Sequence, residues 1–161
     1  MLGGSTMFDY GSTSDEPTIP GYVEEFFQSY YEGIDIQVIK AGIQGADSFA
    51  ELNLIETKLL NYSPNMIIIY DGWNDLREQN SPSEIYNNWD SICALGKQNE
   101  FDVIVALQPI AGFGNKTLTK QELELSKSGT DYNNNLLIDS FEKYNEYTKN
   151  LERLENCQMN V

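Results

Sequence analysis

Ser5 is the first residue in the chain whose type and setting could do chemistry. It follows Gly3 and Gly4, which would let the backbone turn sharply and leave room for an acyl group above the hydroxyl. A serine hydroxyl is a poor nucleophile unless it is exposed on a tight turn and paired with a base. The turn therefore predicts an accessible hydroxyl, although an isolated Gly-Gly-Ser also suits an ordinary turn or a helix cap.

Two further motifs could stabilise negative charge near that hydroxyl. Residues 41–45 read Ala-Gly-Ile-Gln-Gly, and residues 70–75 read Tyr-Asp-Gly-Trp-Asn-Asp. When a hydroxyl attacks an ester carbonyl, an oxyanion forms, and losing one donor aimed at it costs ~3–4 kcal/mol. The natural donors are the backbone N–H groups of Ser5 and Gly45 and the side-chain amide of Asn74, which a carboxylate could not replace as a donor.

The acidic residues beside these motifs have simpler interpretations. Asp75 is expected to cap the turn that follows it. Asp9 and Asp71 are expected to be exposed loop carboxylates, since the chain contains no histidine that they could orient.

Each of the three motifs follows a predicted β-strand. Residues 34–39, 66–70 and 103–107 are compact apolar runs rich in Ile and Val, which is typical of strands buried on both faces of a parallel sheet. Residues 1–2 could end an earlier strand, and residues 160–161 could open a last one. Because ligands bind at the carboxyl ends of the strands in open α/β sheets, we expect the motifs to meet at that edge.

Four amphipathic stretches predict helices that alternate with the strands and so favour an α/β fold. Pro20 suits the first turn of the first helix, and Asp47 or Ser48 could cap the second. The tetrapeptide at residues 81–84 would begin the third, and the fourth would span residues 136–154. The apolar positions of the four helices are, in order, Tyr22, Phe26, Phe27 and Tyr30; Phe49, Leu52, Ile55, Leu59 and Leu60; Ile85, Trp89, Ile92 and Leu95; and Phe141, Tyr144, Tyr147 and Leu151.

Between the last predicted strand and helix lies a polar segment, residues 108–135, rich in Gly, Asn, Ser, Thr and Lys. A loop this long in a compact domain is usually functional. The alternative is a mobile surface insertion. Side chains available for substrate contact there are Phe113, Tyr132, Asn133, Asn134 and Asn135.

Composition limits the classes of partner. The chain has 161 residues, 40% of them apolar and 12% aromatic, which suits one domain with a core. Its net charge is −15, from 25 acidic and 10 basic residues, so nucleic acid and anionic membranes are poor partners. The longest apolar run, residues 66–70, is far too short to span a membrane. Oligomeric state and compartment stay open.

The two cysteines, Cys93 and Cys157, fit no metal-ligand spacing. Without histidine, ordinary zinc sites are nearly excluded. Because Cys93 falls inside a helical pattern, we expect a buried thiol there. A disulfide between the two is the alternative.

The three motifs, in this order and after successive strands, resemble those of the SGNH (GDSL-type) serine hydrolase family. The resemblance covers most of the chain. It implies a three-layer α/β/α, flavodoxin-like fold with a parallel sheet, and hydrolysis of carbohydrate, lipid or small acyl esters with no metal or organic cofactor.

The resemblance also assigns roles to residues. Ser5 matches the nucleophile, and Ser5, Gly45 and Asn74 match the donors of the oxyanion hole. Further substrate contacts are expected from three residues: Thr6, Trp73 and Phe113.

The chain departs from the family pattern in two places. The family ends in an Asp-x-x-His block, where His is the general base and Asp orients it, and this chain has no histidine. We therefore interpret residues 1–161 as a single domain, incomplete at its C-terminal end, whose base lies beyond Val161. Lys40 stands where many family members have an Asn that braces the active-site loops.

Two other functions are compatible with the sequence. A flavodoxin-like module that binds carbohydrate or acyl ligands without turnover would explain the missing histidine, the ten tyrosines and the long polar segment. A phosphate cradle for a nucleotide is disfavoured, because neither phosphate-binding glycine motif occurs and the net charge repels phosphate.

Overall fold

A four-stranded parallel sheet forms the centre of the molecule. The computed structural model describes residues 1–9, 11–14, 18–31, 33, 35–128, 138–157 and 159–160. The strands are β1 (Leu2–Gly3), β2 (Met66–Asp71), β3 (Asp102–Leu107) and β4 (Met159–Asn160), in the spatial order β1-β2-β3-β4. All three pairings are parallel. The strands predicted at 66–70 and 103–107 are thereby confirmed, and Val161 lies outside the described residues.

In the described residues six α-helices accompany the strands: α1 (Ile19–Tyr30), α2 (Ser48–Thr57), α3 (Trp73–Arg77), α4 (Pro82–Asn99), α5 (Lys120–Ser128) and α6 (Ile138–Glu152). A short 3-10 helix, Leu59–Tyr62, follows α2. All four predicted helices are present, as α1, α2, α4 and α6. The second is shorter than predicted, since α2 ends at Thr57 and Leu59 and Leu60 lie in the 3-10 helix, and its Phe49 is exposed. Their starts follow the expected chemistry: the Asp47 carboxylate accepts from Ala50 N at 2.9 Å. At α4, Ser81 and Glu84 form a reciprocal capping box.

The core lies on one face of the sheet. Alternate residues of β2 and β3 are buried there, since successive side chains of a strand point to opposite faces. The predicted inward stripes of α4 and α6 cover them, and Trp89 at 0% and Tyr144 at 1% exposure are the largest of these side chains. On the other face of β2, Met66 is exposed, and Ile68 and Tyr70 are half-buried. The well-packed face fixes β2 and β3, whose ends carry the site.

The prediction of a strand at residues 34–39 is wrong. Residues 35–43 form no strand within the described chain. They run beside β1, where Met1 N donates to Ile39 O at 2.8 Å and Ile43 N donates to Gly3 O at 3.0 Å. Between them, Ala41 N donates to Met1 O at 2.9 Å.

The polar segment after β3 is not loop throughout, because α5 forms within it. Thr119 Oγ1 accepts from Glu122 N at 3.2 Å, and Glu122 Oε2 accepts from Thr119 N at 2.8 Å. This reciprocal pair is a capping box, and the sequence Thr-Lys-Gln-Glu at residues 119–122 was its overlooked signal. Tyr132 and the three asparagines after it lie outside the described residues.

Two further expectations are changed by the structure. The aromatic positions of α1 have helical spacing, but Pro20 is the buried residue of that helix, while Phe26 and Tyr30 stay exposed and contact each other. The expected buried thiol is wrong: Cys93 and Cys157 form a disulfide, with Cα atoms 4.9 Å apart. None of the helices in the described ranges is long and apolar enough to cross a membrane.

Candidate active site

Ser5 lies on a tight turn immediately after β1. Gly4 O accepts hydrogen bonds from Met7 N at 3.1 Å and Phe8 N at 3.0 Å, so the chain reverses direction around the serine. Met7 is buried and holds the turn against the core, whereas Ser5 is half-buried and Thr6 is exposed. The sequence places a hydroxyl on an accessible turn, as a serine nucleophile requires.

Asn74 lies at the start of α3, directly after the end of β2. Gly72 adopts φ 111°, a conformation that favours glycine, and so lets the chain pass from strand to helix. The Asn74 side chain is buried, and Nδ2 donates to Ala46 O at 2.6 Å. An amide nitrogen carries two hydrogens, so this bond fixes the side chain and leaves the second N–H for another acceptor.

Gly4 and Asn74 are in direct proximity. A Cβ atom added at Gly4 would overlap Nδ2 of Asn74. Only glycine fits there, because any side chain would displace the amide. Ser5 is the next residue, so the structure brings the nucleophile candidate and the amide donor together.

Gly45 belongs to the same arrangement. It adopts φ 78° and has open space where a Cβ would lie. The turn around it is held by a bond from Ala46 N to Ile43 O at 3.0 Å, and Ile43 N in turn bonds to β1. Because Ala46 is also the acceptor for Asn74, the three predicted motifs form one hydrogen-bonded unit.

Gln108 is a site residue that the sequence reading missed. It follows β3, and its Nε2 donates to Thr6 Oγ1 at 3.2 Å. Its backbone is held on both sides, since Gln108 N donates to Asp71 O at 2.8 Å and the Tyr144 hydroxyl donates to Gln108 O. The rule that found the other motifs, a polar residue at the carboxyl end of a parallel strand, would have found this one.

Of the three expected substrate contacts, Thr6 therefore lies beside Ser5 and is bonded to Gln108. Trp73 and Phe113 are half-buried and pack against the core. The Phe113 ring stacks edge-to-face on Tyr144 of α6, with centroids 5.3 Å apart. These contacts fix the two aromatic side chains against the hydrophobic core.

Asp75 has a different role from the turn cap that the sequence predicted. Its carboxylate is fully buried and accepts hydrogen bonds from Ser48 N at 3.0 Å, Ser48 Oγ at 2.6 Å and Asn80 Nδ2 at 3.0 Å. The negative charge lies at the N-terminus of α2, where the helix dipole favours it. Asp75 thus ties α2, and with it the end of the Gly45 turn, to Asn74.

Asp71 and Glu51 are buried carboxyls near this network. Asp71 was expected to be exposed and is instead 0% exposed, while Glu51 is 1% exposed. Within the described residues, none of their four oxygens has a hydrogen-bond partner. Burial, followed by the charges of Asp75 and Asp47, raises the pKa of Glu51 well above its usual value, and burial followed by the charge of Glu51 does the same for Asp71.

Asp9 also differs from the exposed carboxylate that was expected. Its side chain is 21% exposed and lies 3.7 Å from Lys40 Nζ, measured from Oδ2. The described residues contain no group of three or more His, Cys, Asp or Glu side chains arranged to hold a metal ion.

Comparison with known proteins shows the family of this chain. Residues 1–152 match the family model described as the GDSL-like lipase/acylhydrolase family. The chain belongs to that family. No curated protein matches the chain at a significant level.

Solved structures share the fold of this family member. AlinE4, an SGNH-hydrolase family esterase, is 19% identical, with a TM-score of 0.66, and the match covers 98% of this chain and 71% of that one. A catalytic mutant of Axe2, an acetylxylan esterase from Geobacillus stearothermophilus, is 16% identical, with a TM-score of 0.69 and coverage of 99% and 73%. The acetyl xylan esterase AlAXEase is 16% identical, with a TM-score of 0.65 and coverage of 98% and 74%. The predicted α/β/α fold with a parallel sheet is thereby confirmed.

Proposed function

We propose that Ser5 is the nucleophile of an ester hydrolase, and that the N–H groups of Ser5 and Gly45 and the amide of Asn74 form its oxyanion hole. Membership of a family of lipases and acylhydrolases supports ester hydrolysis in general. The observation that carries the residue assignment is the position of the Asn74 amide, held by Ala46 O and pressed against Gly4. One of its N–H bonds remains for an oxygen above Ser5.

The reaction follows from these positions. Ser5 Oγ attacks the ester carbonyl carbon while a base takes its proton, and the carbonyl oxygen becomes the oxyanion that the three donors stabilise. When the C–O bond to the alcohol breaks, that oxygen takes the proton back from the base and the acyl group stays on Ser5. Water then attacks the acyl-serine by the same steps and releases the acid. Each donor contributes ~3–4 kcal/mol to transition-state stabilisation.

The base is the part that these residues do not supply, since the sequence has no histidine. A neutral imidazole from solution can replace it, because the Ser5 turn is accessible. The same imidazole also serves water attack on the acyl-serine, but an alkyl ester of serine is less activated than an aryl ester, so this second step is slower. We therefore expect acyl-Ser5 to accumulate when the chain is given an ester and imidazole.

The test uses the 161-residue chain with p-nitrophenyl acetate. Intact-mass spectrometry should show one added acetyl group when imidazole is present, and peptide mapping should place it on Ser5. Ser5→Ala should remove the adduct, and Asn74→Ala should slow its formation by about 10²-fold. The matched control is Ser83→Ala, a serine in the first turn of α4. Acetylation of Ser5→Ala at the wild-type rate would refute the nucleophile assignment.

The substrate in this proposal is an ester of a carbohydrate, a lipid or a small acyl group. Two of the similar structures are named as acetylxylan esterases, which supports acetylated carbohydrate as the first class to assay. Thr6, Trp73 and Phe113 are proposed as the residues that contact it. Comparing acetyl with longer acyl esters in the same assay separates the classes.

A binding module without turnover is the second candidate, and the absence of histidine from the sequence favours it. It predicts saturable binding of acetylated oligosaccharide without acetyl transfer to Ser5. Calorimetric titration with the oligosaccharide, set beside the mass measurement, distinguishes the two functions.

A further inference from the structure

Two loops carry the proposed nucleophile and one proposed oxyanion donor. We define the nucleophile loop as residues 4–9 and the glycine loop as residues 40–45. The loops lie side by side: a Cβ at Gly42 would come within 2.4–2.6 Å of the Met7 and Phe8 backbone. The separation of Ser5 from the Gly45 N–H therefore depends on how these loops are held together.

One end of the loop pair is fixed by backbone contacts. Ile43 N donates to Gly3 O at 3.0 Å, and Met7 N and Phe8 N donate to Gly4 O. These bonds hold the beginning of the nucleophile loop. They do not extend to its last residue, Asp9, which adopts φ 71°, a conformation that is uncommon outside glycine.

The other end is joined by an ion pair. Lys40 Nζ lies 3.7 Å from Asp9 Oδ2, and the two side chains are only 30% and 21% exposed. Asp9 Oδ1 is buried and has no hydrogen-bond partner among the described residues. The two charges are partly shielded from water, so each depends on its counter-ion more than a charge in a fully exposed pair does.

This pair differs from the others that the structure describes. Arg77–Glu78 and Lys149–Glu146 join neighbours on the same helix or its end, and their side chains are more exposed. Lys116–Glu122 joins a loop to α5, but its residues are only 6 apart in the sequence. Exposed local pairs contribute little. Lys40–Asp9 instead connects two loops that are distant in the sequence.

We propose that Lys40 and Asp9 are positioning residues, whose ion pair holds the nucleophile loop against the glycine loop and so sets the distance between Ser5 and the Gly45 N–H. The inference rests on the proposed function for its effect on acyl transfer. The ion pair acts through loop position and takes no part in bond making. Misplacing a reacting group by about 1 Å can cost ~10²-fold in rate, so the effect should appear in the rate of acylation.

The test measures acetylation of Ser5 with imidazole over a range of ester concentrations. Lys40→Met should lower the maximal rate of acetylation ~10-fold or more, because the position of Ser5 relative to the Gly45 N–H changes. The half-saturating ester concentration should change little, because the proposed substrate contacts of Trp73 and Phe113 remain. Asp9→Asn should behave alike, and the double variant should be no slower than either single one. Lys40→Arg should restore most of the rate.

The matched control is Lys149→Met, which removes one lysine from an exposed ion pair far from the site in sequence. It should acetylate at the wild-type rate. If Lys40→Met also does so, the inference is wrong. If Lys40→Arg is as slow as Lys40→Met, charge pairing with Asp9 is not the cause and the inference is equally wrong.

Amide hydrogen exchange keeps this test separate from the proposed function. Lys40→Met should speed exchange in both the nucleophile loop and the glycine loop and leave α4 unchanged, whether or not Ser5 is acetylated. Failure of the wild-type chain to acetylate would count against the proposed function alone. Unchanged exchange in both loops, or faster exchange throughout the molecule, would overturn the positioning role.

Discussion

At the scale of single residues, Gly4 shows how a position can be essential for the site and of little importance for the fold. A methyl group there would meet the end of the Asn74 side chain, which can swing away. We expect Gly4→Ala to lower stability by about 1–2 kcal/mol through the lost bond to Ala46 O. Acetylation of Ser5 should fall by about 10²-fold, as after the loss of an oxyanion donor.

The neighbouring glycine provides the comparison. A Cβ at Gly3 would lie 2.5 Å from the backbone oxygen of Tyr70, in a residue with φ 151°. Backbone cannot swing away, so Gly3→Ala should destabilise the whole molecule in urea unfolding. Equal losses of stability in the two variants would show that the Asn74 amide is not free to move as argued.

Glu51 gives a prediction about pH. Burial, and then the charges of Asp75 and Asp47, raises its pKa in the folded chain. Above pH ~4.3 the unfolded chain ionises this group while the folded chain keeps its proton, so stability is lost as pH rises from there towards the folded pKa. Glu51→Gln should therefore be more stable than wild type at pH 7, by about 1.4 kcal/mol per unit of raised pKa.

Urea unfolding of both proteins between pH 3.5 and 7.5 measures this difference, which should vanish at the acid end. Glu56→Gln is the matched control, since Glu56 is exposed on the same helix and the variant has the same net charge. A stability difference that stays constant across the pH range would contradict the raised pKa.

How far single residues could be predicted depended on whether their partners were near in sequence. The prediction that Asn74 and Gly45 are oxyanion donors used their types and their spacing from Ser5, and the structure brings their motifs together. The role of Asp75 was missed because its partner Ser48 lies 27 residues away, and nothing local to Asp75 distinguishes a turn cap from a contact with another helix. Gln108 was missed although its place after β3 satisfied the same rule.

At the scale of elements, α4 and α5 both begin with a capping box, but α4 is packed in the core and α5 lies at the surface. Ser81 and Glu84 cap α4, which carries three fully buried core residues. Thr119 and Glu122 cap α5, whose described side chains are exposed or half-buried. Lys116, and then Thr119, lower the pKa of Glu122 to about 2, so this carboxylate stays ionised in mild acid.

This difference predicts unequal effects of one substitution. Ser81→Ala should lower the free energy of unfolding of the whole domain by about 1 kcal/mol, because α4 cannot fray without exposing the core. Thr119→Ala should leave the urea midpoint unchanged and speed amide exchange only in the first turn of α5. A global loss after Thr119→Ala as large as that after Ser81→Ala would mean that α5 is integral to the core.

The elements predicted well are those whose pattern has a single interpretation. The apolar runs at β2 and β3 and the stripe of α4 are long and bounded by turn residues. The run at residues 34–39 looks the same in sequence, yet the hydrogen bonds that the described residues make beside β1 involve Ile39, Ala41 and Ile43, mostly beyond the run. The spacing of α1 predicted a helix correctly but could not show whether its aromatic face would be covered.

At the scale of the whole molecule, the disulfide joins the core helix to the end of the chain. Cys93 is buried in α4, and Cys157 follows α6 just before β4. The cysteines are separated by 64 residues, a loop that includes β3, α5 and α6. A spacing that fits no metal site could not show this pairing, because it depends on how α4 and α6 pack.

Closing a loop of this length can stabilise the folded state by up to ~4 kcal/mol, mainly by restricting the unfolded chain. We expect Cys157→Ser to lower the free energy of unfolding by about 2–4 kcal/mol, measured in urea without reductant. Reductant should bring the wild-type chain down to the level of the variant and should leave the variant unchanged, which makes each protein the control for the other. Two titratable thiols in the purified, unreduced chain would contradict the pairing. Since β2, β3 and α4 hold the ends that carry the site, acetylation of Ser5 should survive in Cys157→Ser at temperatures well below its melting point.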